Sequence, residues 1–199
     1  MHYVTATVVE TEQLRPRVRR IRLGGPELAG LPWRAGQQVR VRVDDLTFLS
    51  SLVQGKALDQ LQLRTYSVFD FDQARGLLDL CVFQRDDGDS PGLRWSPQVA
   101  VGDPVAFVGP EGRLVVAAAA AYHVFAGEET AQLAFAAMLP ALPARARVFG
   151  VLEVASADER LDLARGDELT WHWRASTWAV AGSTRDTVTV AVALSSITP

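Results

Sequence analysis

The chain has 199 residues, 48% of them hydrophobic and 22% charged, with a formal net charge of −3. That is enough for one large domain or two small ones, and the slightly acidic balance gives no reason to expect nucleic acid or an anionic membrane as partner. Apolar runs are broken by charge well before the about 18 residues a membrane-spanning helix needs. The opening MHYVTATVVE has no basic region followed by an apolar run, so no signal peptide is expected. The single cysteine, Cys81, excludes an internal disulfide or a multi-cysteine metal site and is expected to be a buried, inert thiol. A cytoplasmic location is the expectation.

From the N-terminus to about residue 114, short runs alternate apolar and polar residues: YVTATVVE, RVRRIRL, QVRVRV, RTYSVFDFD, LLDLCVFQ and DPVAFV. Turn clusters such as GGPEL, DDGDSPG and VGDP separate them. Many short strands between turn signals predict an antiparallel barrel or sandwich. In VRVRV the residues Val39, Val41 and Val43 share one face, and Arg40 and Arg42 the other. A looser segment, LTFLSSLVQGKALDQLQL, interrupts the pattern and is compatible with a short helix.

After GPEGRLVV and an alanine run, Ala117 to Ala121, the pattern changes. YHVFAG reads as a short buried strand, EETAQLAFAAMLPAL as an amphipathic helix and ARVFGVLEVA as a second buried strand. Ala131, Ala134, Phe135 and Met138 recur at helical spacing, and Pro140 and Pro143 end the helix. Strand, helix and strand of this length predict a right-handed βαβ unit with parallel strands. The expected organisation is therefore a β-barrel over residues 1–116 and a reduced α/β unit over residues 117–199.

Arg64, Tyr66 and Ser67 fall together on one extended segment. Alternation along a strand puts Arg64 and Tyr66 on the same side. Arginine offers a planar, permanently charged fork suited to phosphate, and tyrosine a flat face for stacking. A barrel edge with an aromatic in the core is the competing structural reading.

RTYS, SPGLRW, VGDP with GPEG, and AGEETA occur here in that order. In this they resemble the siderophore-interacting proteins, FAD-dependent ferric-siderophore reductases of the ferredoxin–NADP reductase superfamily. The likeness runs from about residue 3 to 182. It implies a flavin-reductase-like barrel followed by a nucleotide-domain-like α/β unit, FAD as cofactor and a ferric siderophore as small-molecule partner. It assigns Arg64 to the pyrophosphate, Tyr66 to the ring face and Ser67 to the flavin's polar edge. The loop holding Gly92, Leu93 and Arg94 would grip the pyrophosphate through backbone N–H groups, with Trp95 packed beside the cofactor or in the core.

The chain also departs from that pattern. The family's second arginine is Phe69 here, the Ala-Ser of the pyrophosphate loop is Gly92-Leu93, and the acidic residue after the second Ala-Gly is Ser183. ELTWHWR is followed by AST and then WAVAG, too short a link for parallel strands. With TVTVAVAL, these segments predict an antiparallel meander in place of a deleted helix. Glu128 and Glu129 at a helix start repel phosphate, and no G-x-G-x-x-G opens the α/β unit, which speaks against NAD(P)H. The alternative function is a redox-silent relative that binds an apolar metabolite between the two halves, a cyclase or rearrangement enzyme of secondary metabolism, or a non-catalytic binding module. Lys56, the one lysine, is a candidate to pair with an anionic ligand, against a solvated loop residue. His2, His123 and His172 lack metal-ligand spacing, and Asp86, Asp87 and Asp89 read as an acidic turn, so no metal is expected. Trp171, Trp173 and Trp178 read as core or as the lining of an apolar cavity. Oligomeric state is left open.

Overall fold

The computed structural model describes residues 3–43, 63–84, 90–173 and 190–192. They form two compact units, one of residues 1–33 and 37–112, the other of residues 34–36 and 113–199.

In the first unit six strands, β1 (Tyr3–Arg15), β2 (Val18–Gly24), β3 (Gln38–Arg42), β4 (Leu63–Asp72), β5 (Leu77–Phe83) and β6 (Pro104–Glu111), close into a barrel in the order β1-β2-β5-β4-β3-β6. Every pairing is antiparallel. Closure leaves no strand edge unpaired. The alternation read in the sequence becomes the core: Val4, Ala6 and Val8 of β1, Ile21 and Leu23 of β2, Val39 and Val41 of β3, Leu78, Leu80 and Val82 of β5, and Val105 and Phe107 of β6 are all buried. Each such aliphatic side chain contributes about 1.5–3 kcal/mol on leaving water.

On the outer face, Arg22 grips the buried carboxylate of Asp79 through two bonds, at 2.7 Å and 2.8 Å. Arg20 pairs with Glu10 and, at 2.7 Å, with Glu12. Cys81 sits opposite Arg20 in the neighbouring strand. Burial, with the Asp79 charge, pushes its thiol well above the ordinary range, so it stays protonated and unreactive.

β4 changes face partway along. Its register against β5 passes from Val68↔Leu80 to Asp70↔Asp79, so Phe69 is an extra residue with no opposite number. Val68 on one side of this bulge and Phe71 on the other both reach the core, which an unbroken two-residue alternation forbids.

Following β5, residues 91–98 are the helix α1 (Pro91–Gln98) and not the loop expected from SPGLRW. Ser90 caps it, its hydroxyl accepting from the Leu93 amide at 3.4 Å, and Pro91 occupies the first turn. A capping serine followed by proline is a helix-start signal. At the other end Arg19 donates to the Val99 carbonyl at 2.9 Å, a cation at the negative pole of the helix. Trp95 and Val99 join the barrel core.

The second unit is a four-stranded sheet of order β10-β7-β8-β9, with β7 (Tyr122–Glu128), β8 (Arg147–Val154), β9 (Thr170–Trp173) and β10 (Val190–Val192). β7 and β8 are parallel and joined through α2 (Ala131–Met138), giving the expected βαβ unit. Phe135 of α2 packs edge-on against Phe125 with ring centres 4.8 Å apart. Of the segments expected to form an antiparallel meander, β9 and β10 are described, and they do not pair with each other. β9 runs parallel to β8 at one edge, while β10 pairs antiparallel with β7 at the other. The connection that makes β9 parallel is residues 155–169, which hold two short 3-10 turns in place of a helix. Two side chains anchor it: fully buried Gln132 donates to the carbonyls of Glu129 and Glu159 at 3.0 Å and 3.2 Å and accepts from the Leu161 amide at 2.8 Å, and Arg165 donates to the carbonyls of Pro143 and Ala146. The 178–182 segment, Ser183 and the looser run 46–63 lie outside the described residues, apart from Leu63 itself. No helix among the described residues is long and apolar enough to cross a membrane.

Candidate functional site

The candidate site lies within the barrel unit, where β4 meets the first turn of α1. Arg64, Tyr66 and Val68 share one face of β4; Val68 is in the core, and Tyr66 packs against the core from a half-buried position. The Tyr66 ring lies 6.0 Å from that of Trp95, tilted by 33°. Burial pushes the Tyr66 phenol up to about 12, with the Arg64 guanidinium pulling the other way. The ring is therefore neutral at any physiological pH.

Gly92 makes this junction possible. A Cβ at that position would stand 2.5 Å from the Tyr66 hydroxyl and 3.5 Å from Cγ of Arg64. A side chain there would have to displace the Tyr66 ring, so the glycine keeps strand and helix in close approach. The same contacts show that Arg64 and Tyr66 point toward one place, the N-terminal turn of α1. Arg64 Nη1 donates to the Leu63 carbonyl at 2.8 Å, which steadies the guanidinium and leaves its other donors for a ligand.

Ser67 is half-buried and opposite Gln38 of β3, and alternation sends its side chain to the other face from Tyr66. The amides of Leu93 and Arg94 both donate to the Ser90 carbonyl, at 3.0 Å and 3.1 Å. Pro91 has no N–H, so among these first-turn amides Gly92's is the one the cap does not take. Trp95 is buried, and its Nε1 and the neighbouring Ser96 hydroxyl lack a partner among the described residues. Phe69, in the place of the second arginine, is the bulge residue of β4. It was legible as a substitution but not as a bulge, since one extra residue in a strand leaves no compositional mark. Lys56, Asp86, Asp87, Asp89 and Trp178 lie outside the described residues, as do the side chains of His172 and Trp173.

This arrangement fits a cofactor with phosphates and a flat ring. It offers a steadied guanidinium, a neutral aromatic face, buried donors without a protein partner, and the positive end of a helix. Of these, Arg64 and Tyr66 converge on Gly92, which keeps the backbone bare.

In the second unit the acidic turn stands where a nucleotide's phosphate would meet α2. Glu129 is buried at the start of the helix, and Glu128 accepts from the Thr130 hydroxyl at 3.5 Å. A Cβ at Gly127 would fall 2.3 Å from that of Ala131, so here the glycine serves close packing of strand on helix. His123 is buried on β7 with Nε2 unpartnered among the described residues. Trp171 donates to the Gly166 carbonyl at 3.2 Å and lies under the Arg160 guanidinium, 4.5 Å away. Among the described residues no cluster of His, Cys, Asp or Glu could hold a metal.

The fold defines a class, the ferredoxin-reductase-like proteins: a six-stranded antiparallel barrel followed by a small parallel sheet with helices. Within it, residues 7–114 match the model of the siderophore-interacting FAD-binding domain, and residues 120–197 that of the siderophore-interacting protein. The chain belongs to the siderophore-interacting FAD-binding family. Among solved structures it is similar to a siderophore utilization protein from T. fusca, at 29% identity and a TM-score of 0.71, over 88% of this chain and 70% of that one. It is also similar to the siderophore-interacting protein SipS from Aeromonas hydrophila, at 27% identity and a TM-score of 0.68, over 86% and 67% of the two chains. A more distant likeness, 26% over 110 residues, links it to the ferric vibriobactin reductase ViuB of Vibrio cholerae. That match covers 55% of this chain and 40% of the reductase.

Proposed function

We propose that the protein binds FAD in the barrel and passes electrons from the reduced cofactor to a ferric siderophore, acting in the cytoplasm. The observation that carries this reading is the convergence of Arg64, Tyr66 and the start of α1 on Gly92, in a chain whose family is defined by an FAD-binding domain. When bound, FAD supplies the electrons that reduce the iron. The chain's residues bind and orient. Arg64 neutralises the pyrophosphate, with the Gly92 amide and the helix pole adding to it, since the Leu93 and Arg94 amides are engaged by Ser90. Tyr66 would stack on the ring, backed by Trp95, and the Ser67 side chain, on the other face of β4, would leave the flavin's polar edge to backbone groups of the strand. Outer-sphere electron transfer breaks no covalent bond of the siderophore, so no general acid, base or nucleophile is required.

The reductant is not drawn from a nicotinamide seated at the β7–α2 turn. The buried Glu129 and the neighbouring Glu128 support this, because both place negative charge where a phosphate would have to lie.

The test is a titration of the purified, flavin-stripped protein with FAD, followed by tryptophan and flavin fluorescence. Wild-type protein saturates and turns yellow, and when photoreduced anaerobically it bleaches a ferric catecholate or hydroxamate. Gly92→Glu, which sets a bulky negative charge beside Tyr66, Arg64 and the phosphate seat, weakens FAD binding by about tenfold or more, roughly 1.4 kcal/mol. A wild-type protein that takes up no flavin sinks the proposal.

A further inference from the structure

One face of the four-stranded sheet is left bare by the described elements. The register His123↔Val148, Phe125↔Gly150 and Gly127↔Leu152 puts these six residues on the side that α2 covers, where Phe135 meets Phe125. The 155–169 connection lies on that side too. Gln132 of α2 holds it, and a Cβ at Gly150 would stand 2.8 Å from Cδ2 of Leu169. The opposite face carries Val124 and Ala126 of β7 and Arg147, Phe149, Val151 and Glu153 of β8. Phe149 and Val151 are 47% and 38% exposed. β8 is paired with parallel strands on both sides, and such interior strands are ordinarily covered on both faces.

We propose that this face is a self-association surface and that its occupant is a second copy of this chain. The charge pattern chooses both the occupant and the geometry. Along β8 the outward residues read basic, apolar, apolar, acidic, a row that is antisymmetric about Gly150. A twofold axis in the plane between two facing sheets, perpendicular to β8 and level with Gly150, lays the row on its own reverse. Arg147 then faces Glu153 of the second copy, Phe149 faces its Val151, and Val124 of β7 faces its Ala126. A twofold axis along β8 would stack arginine on arginine and glutamate on glutamate, which repel. An isologous interface requires this self-complementarity, and two sheets packed about 10 Å apart supply it. In the free chain the Arg147 guanidinium lies over the Phe149 ring, 5.5 Å from its centre, so the same side chain shields the ring until Glu153 of the second copy recruits it.

Strands of seven, eight, four and three residues, at about 3.3 Å rise and about 4.8 Å spacing, give on the order of 350 Å² per copy. The total is below the roughly 1,200 Å² at which standard interfaces begin. The dimer is therefore weak, with a dissociation constant in the micromolar range.

Sedimentation velocity from about 1 to about 100 μM, a span that brackets such an affinity, is the test. The wild type passes from monomer to dimer across it. Phe149→Lys remains a monomer. Arg147→Glu and Glu153→Arg each weaken association by tenfold or more, and the double variant R147E/E153R restores it, which a merely structural role would not produce. A wild type that stays monomeric throughout overturns the proposal, as does a double variant no better than either single one. If Phe149→Lys fails to fold, the charge-exchange series decides alone.

Discussion

The barrel and the four-stranded sheet treat the problem of unsatisfied strands in opposite ways. The barrel closes on itself, so each strand has two neighbours and the inward residues bury one another. The sheet stays open, with β9 and β10 as its outer strands among the described residues and Phe149 and Val151 exposed on one face. The lesson is that the two halves of this chain carry different degrees of self-sufficiency. The proposed cofactor seat lies in the closed half. The chain spans 70% of the length of the T. fusca protein and 67% of that of SipS.

The sharpest way to break that comparison is a pair of equal core defects. Phe107, fully buried in the barrel, and Phe135, fully buried under the sheet, should each cost about 3–5 kcal/mol on truncation to alanine. Phe107→Ala should abolish FAD binding, whereas Phe135→Ala should leave the affinity within about twofold while lowering the melting temperature; equal loss of flavin in both would show that the halves do not act separately. Next in size, Arg64→Ala removes a charge-assisted contact of about 1.5–3 kcal/mol, so the dissociation constant for FAD should rise by roughly ten- to a hundredfold. Arg64→Lys should recover only part of this, because an ammonium cannot fork.

A smaller effect distinguishes the halves by pH. Burial, assisted by the Arg165 charge, holds the His123 imidazole below its ordinary 6.5. The folded form therefore keeps it neutral while the unfolded chain takes up a proton near pH 6.5. Stability is present above that pH and declines as pH falls through it toward the lower folded-state value. Melting curves at about pH 7.5 and about pH 5.5, roughly one unit either side of the ordinary imidazole value, should show this loss, and His123→Gln should flatten it. Least of all, Arg75→Ala should change stability by no more than about 0.5 kcal/mol, since its pair with Asp72 is exposed and 3.9 Å apart.

The barrel strands and the βαβ unit were legible because two-residue and helical periodicities state burial directly. The pairing of Arg64 with Tyr66 was legible for the same reason. Helix α1 was hidden by reading Ser90-Pro91-Gly92 as turn punctuation, although the first two residues are also a helix start. The C-terminal strands were found, but their places were not. Alternation identifies a strand without saying which edge it joins, and the 155–169 connection achieves a parallel return through two 3-10 turns held by Gln132 and Arg165. The close approach at Gly92 has no signature beyond the glycine itself.

The extra residue at Phe69 has a consequence for how β4 can change. The strand works as two half-strands in different reading frames: up to Val68, even-numbered residues look inward, and from Phe71 onward the odd-numbered ones do. Loss of one residue at the junction would realign the frames, so that if Phe71 kept its seat, Arg64 and Tyr66 would turn to the outer wall and exchange places with Thr65 and Ser67. In this strand the number of residues matters more than the identity of most of them. Length variation here should be far rarer than substitution wherever relatives keep the proposed flavin seat.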